Sequence, residues 1–107
     1  LIDWALALAD GEHRWADTDS DDWDAQVERF FGGLAATDAR LASPEPLGRD
    51  AARLVQGPFA DALTHVGQLA MLRRLAGSPV RGENYFKADV VAGRVGPEQT
   101  GPVLEFE

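Results

Sequence analysis

Pro58 and Gly77 bracket a stretch whose two ends carry sharp helix-start and helix-stop signals. Pro58 suits the first helical position, where its missing N–H would have no partner in any case. Gly77 suits a left-handed C-terminal cap, Arg73 and Arg74 suit the negative end of the helix dipole, and Pro79 forbids continuation. The signals predict a helix over 58–76, about 28 Å long at roughly 1.5 Å per residue. A rod of that length dominates a chain of 107 residues and predicts an all-α fold, an up-down helical bundle.

The remaining periodicity agrees. Residues 1–14 read as a first helix with Ile2, Leu6, Ala9 and His13 on one stripe. An acidic cluster, Thr18-Asp19-Ser20-Asp21-Asp22, reads as capping carboxylates at the positive end of the next helix. A solvated capping cluster is favoured over a calcium loop, because the central Gly and terminal Glu of the calcium-loop pattern are missing. The second helix is predicted over 22–42, with Trp23, Val27, Phe30, Phe31, Leu34 and Leu41 on a core face. Gly32-Gly33 inside it lets another backbone approach closely, and Ser43-Pro44-Glu45-Pro46 stops it. A short helical piece is predicted over 50–55, broken by Gly57-Pro58. Asn84 is expected to cap a short helix over 85–91, followed by an extended tail. No strand and no internal repeat is read.

Composition narrows the function classes. With 18 acidic against 10 basic side chains the net charge is -8, which opposes binding to nucleic acid or to anionic membranes. Cysteine is absent, so disulfides, thiolate metal sites and a cysteine nucleophile fall away together, and a cytoplasmic setting is expected. No apolar run reaches the length of a membrane span. The length suits a single domain over 1–107. Because Leu1-Ile2-Asp3-Trp4 already reads as helix interior, the domain is expected to be incomplete at its N-terminus.

One helix face carries candidate chemistry. Taking Asp61 as zero, His65 falls near +40°, Gln68 near -20°, Leu72 near +20° and Leu75 near -40°, at about 100° per residue. If the two leucines point into the core, the three polar residues point inward as well, and buried polar groups must pair or bind something. An Asp and a His at i and i+4 can share a divalent ion. His13 is the one other histidine and a candidate third ligand. The plainer alternative is an i,i+4 hydrogen bond between Asp61 and His65, with Gln68 satisfying a neighbouring helix. Gly-x-Ser-x-Gly and a phosphate-binding Gly-rich loop are absent.

The run Gly57-Pro58-Phe59-Ala60-Asp61-Ala62-Leu63-Thr64-His65-Val66-Gly67-Gln68-Leu69, continuing to Gly77, resembles the third-helix region of the DinB-like superfamily of metal-binding four-helix bundles. Leu1-Ile2-Asp3-Trp4 is similar to that family's second helix, and Gly82-Glu83-Asn84-Tyr85 to its downstream segment. The resemblance implies four packed helices holding zinc, nickel or a similar ion with three histidines. His65 matches one of these, Asp61 stands where a second is usual, and the third would precede Leu1, together with the first helix. It also implies two kinds of function. One is a metal-dependent thiol transferase or isomerase, in which Gln68 contacts the cofactor or substrate and a low-molecular-weight thiol or an electrophile is the partner. The other is a small-molecule-binding or stress-associated homodimer without turnover, its metal site degenerate. A third reading, apart from the resemblance, is a bundle that acts mainly as a dimerisation unit, with the exposed parts of Trp4, Trp15 or Phe86 at the interface.

Overall fold

Helix α1 (Ile2–Ala9) ends earlier than its apolar periodicity suggests, and Gly11 is the reason. In the computed structural model, which describes residues 1–17 and 20–104, Gly11 adopts φ +87°. Its N–H donates to the Leu8 carbonyl and the Glu12 N–H donates to the Ala7 carbonyl, which closes a Schellman cap. His13 therefore leaves the helix and is exposed.

Helix α2 (Trp23–Ala42) begins and ends where its signals lie. The Asp22 carboxylate accepts from the Ala25 N–H at 3.1 Å, and Ser43 turns extended before Pro44. Thr18 and Asp19 of the acidic cluster lie outside the described residues. The face that α2 buries differs from the predicted one. Trp23, Phe30 and Leu41 are exposed, while Thr37 is the buried residue of the helix. Helix α1 meets α2 at Gly33 and Arg40, and the buried Thr37 falls between them at spacings of four and three. A Cβ on Gly33 would lie 2.7 Å from Ile2 Cγ2, so the helices touch at a residue that offers no side chain. Val27, Phe31 and Leu34 of the predicted face are half-buried.

The break expected at Gly57-Pro58 is a change of helical pitch. Helix α3 (Ala51–Leu54), capped by Asp50, runs into a π-helical turn (Val55–Phe59), and helix α4 (Ala60–Leu75) continues from it. Pro58 has no N–H, and its ring would clash with the carbonyl four residues back in an α-helix. The wider π turn accommodates the ring without ending the helix. Helix α4 ends as predicted: Gly77 has φ +74°, and the Gly77 and Ser78 N–H groups donate to the Arg74 and Arg73 carbonyls.

The core is small. Leu8, Ala9 and Leu54 form it, with Trp4, Leu47 and Phe59 packed against it. The loop from α2 to α3 is pinned by backbone contact, since the Gly48 N–H donates to the Ala9 carbonyl at 2.8 Å. Helix α4 contributes little to this core, and every residue from 71 to 76 is exposed. The radius of gyration is accordingly 15.4 Å, against about 13 Å for a compact domain of this length. Residues 85–88 form a turn, not the expected helix; the Asn84 side chain accepts from the Phe86 N–H at 3.0 Å and closes it. Among the described residues there is no strand, so the all-α expectation holds, and no helix is long and apolar enough to cross a membrane.

Candidate functional site

Asp61 and His65 lie one turn apart at the start of α4, just beyond the π turn. His65 Nε2 is 3.6 Å from Asp61 Oδ1. The Thr64 hydroxyl donates to the Asp61 carbonyl at 2.7 Å and lies 3.4 Å from Asp61 Oδ1. The predicted pairing of the two side chains is therefore present, while the predicted burial is not. Their side chains are 52% (His65) and 47% (Asp61) exposed, and Gln68 is exposed. Inward placement depended on Leu72 and Leu75 facing a core; both are exposed, Leu75 at 77%, because no described element covers that end of α4.

The donor chemistry suits a divalent ion. Two ligands of a tetrahedral zinc, each about 2.0–2.1 Å from the metal, stand roughly 3.3 Å apart. The 3.6 Å separation of Nε2 and Oδ1 is close to that edge. The number of ligands falls short, because structural zinc sites take four protein ligands and catalytic ones about three. No three His, Cys, Asp or Glu side chains come together as a metal shell among the described residues. His13 in particular does not join the pair. Its ring lies edge-on to Trp4, with centroids 6.0 Å apart.

A second concave feature escaped the sequence reading. Trp4, His13, Arg49, Arg53, Gln56 and Gly57 line an open groove of about 510 Å3 between α1 and the α3–π segment. Trp15 packs edge-on against Trp4 at 5.8 Å. These residues come from three separate stretches of chain, and no spacing within any one of them announces a site.

Matching against protein-family descriptions, curated proteins and solved structures finds nothing similar to this chain, so its function rests on its own residues.

Proposed function

We propose that the chain is a metal-binding helical domain of the DinB-like type, in which Asp61 and His65 supply two ligands to one divalent ion, zinc or nickel. The observation behind this reading is the 3.6 Å separation of His65 Nε2 and Asp61 Oδ1 on one open helix face. An imidazole and a carboxylate at that separation can both contact a single ion, and their exposure leaves room for further ligands. Gln68, one turn further along α4, would contact a molecule bound to the ion. Metal bound by such a pair would lower the pKa of a water or thiol held beside it.

Two protein ligands favour binding without turnover over a thiol transferase or isomerase, because a catalytic ion needs a firmer hold. In this second form the domain is a small-molecule-binding or stress-associated homodimer with a degenerate metal position. Trp15 and Phe86 are exposed and available to such an interface.

The test is metal analysis of the native chain purified without an affinity tag. Stoichiometric zinc or nickel that is lost in His65→Ala supports the reading. Metal that persists in His65→Ala, or no metal after loading, ends it. Incubating loaded protein with low-molecular-weight thiols and electrophiles then separates the two forms. Metal-dependent adducts identify the transferase, and their absence identifies the binding module.

A further inference from the structure

The groove over Trp4 carries chemistry that the ion reading does not use. Its volume of about 510 Å3 lies within the roughly 300–1,000 Å3 typical of small-molecule clefts. Trp4 and Leu8 supply apolar lining, and His13, Arg49, Arg53 and Gln56 supply polar lining. No carboxylate lines the groove, although acidic side chains outnumber basic ones 18 to 10 along the chain. Arg49 has no partner among the described residues, and Arg53 Nη1 donates to Gln56 Oε1 at 3.5 Å. The groove is thus a locally cationic surface on an acidic protein.

Trp4 adds a second, independent observation. Its indole Nε1 is shielded from solvent and has no hydrogen-bond partner. The indole edge that carries Cζ2 and Cη2 faces Gly57, where a Cβ would stand 3.9 and 3.5 Å from those atoms. Nε1 belongs to that same edge. A shielded donor without an acceptor is unfavourable. Gln56 and Gly57 also belong to the π turn, a distortion that recurs at binding sites.

We infer that this groove binds a small aromatic carboxylate, its anionic head on Arg49 and Arg53 and its ring along Trp4. Guanidinium groups match a carboxylate with paired N–H donors, and a flat ring beside an indole gains apolar burial and edge or offset contacts. The inference stands apart from the Asp61–His65 reading, and its test contains no metal.

The probe is 1-naphthoate, titrated into the whole chain and followed by 1H–15N NMR at the Trp4 indole N–H, assigned with Trp4→Phe. Its neutral isostere 1-naphthamide and inorganic phosphate are run in parallel. The expected result is a saturable shift of the Trp4 indole signal with naphthoate. Naphthamide and phosphate, and the Arg49→Gln/Arg53→Gln double variant with naphthoate, should each bind at least about tenfold more weakly. Three results would overturn the inference: an unmoved Trp4 indole, naphthamide binding as well as naphthoate, or shifts confined to residues 63–75 of α4. If the double variant loses its helical circular dichroism, the comparison of naphthoate with naphthamide on the unaltered chain still decides.

Discussion

Arg40 Nε lies 2.5 Å from Asp10 Oδ1, joining the last turn of α2 to the C-cap of α1. The same guanidinium donates to the Ala9 carbonyl at 3.0 Å and to the Pro46 and Glu45 carbonyls at 2.9 and 3.3 Å. One side chain therefore holds the negative end of α1, the end of α2 and the loop beyond it. The guanidinium side chain is 17% exposed and the Asp10 side chain 53%, so the arginine is the shielded member of the pair.

Replacing Arg40 with Ala should destabilise the fold by about 1–3 kcal/mol, since its charge-assisted bonds to Asp10 and to three carbonyls are lost. Urea unfolding followed by circular dichroism reads the loss. Arg40→Lys should recover only a small part of it, because an ammonium cannot span the same fork of acceptors. Full recovery by lysine would show that charge alone matters at this position.

Neighbouring glycines of α2 should respond with opposite signs. A Cβ on Gly32 meets nothing within 4 Å, so Gly32→Ala should stabilise by about 0.5–1 kcal/mol through helix propensity. A Cβ on Gly33 would lie 2.7 Å from the stiff, branched Ile2 side chain. Gly33→Ala should therefore destabilise by about 1–3 kcal/mol, and Ile2→Ala in the same chain should reduce that effect. Melting temperatures of the single and double variants provide the measurement.

Gly48→Ala should be more damaging. Its Cβ would stand 2.2 Å from the Gly11 nitrogen and 2.4 Å from Gly11 Cα, atoms of the main chain that cannot rotate aside. Overpacking together with loss of the Gly48–Ala9 hydrogen bond should cost about 2–4 kcal/mol. Hydrogen exchange at the Gly48 amide should accelerate in step with the fall in stability.

Asp61→Asn and His65→Ala should leave the stability of the metal-free chain nearly unchanged. Both side chains are about half exposed, and an open i,i+4 pair contributes only about 0.3–0.5 kcal/mol. Unfolding curves that overlay within about 0.5 kcal/mol would meet this expectation. A large loss from either substitution would show that the pair supports the fold.

What the sequence disclosed divides along physical lines. Helix ends written in local chemistry were legible: Asp22 before α2, Ser43-Pro44 after it, and Gly77 after α4. The end of α1 was equally local, but apolar periodicity continuing to His13 masked the glycine that stops the helix. The close approach expected at Gly32-Gly33 is found at Gly33, whereas the burial of Thr37 was hidden, because a count of large apolar side chains passes over it. The role of Arg40 depends on partners thirty residues earlier in the chain, which no local window contains. Pairing of Asp61 with His65 followed from helix spacing; their exposure did not, because exposure is decided by what packs over α4.

The π turn at Val55–Phe59 has one more consequence. Such a turn behaves as a single extra residue threaded into an otherwise regular helix, and one residue corresponds to about 100° of rotation. The azimuth at which α4 presents Asp61, His65 and Gln68 is therefore set by Pro58 and its neighbours upstream. Deleting one residue from that turn would leave every side chain of α4 intact and swing them together to another compass bearing.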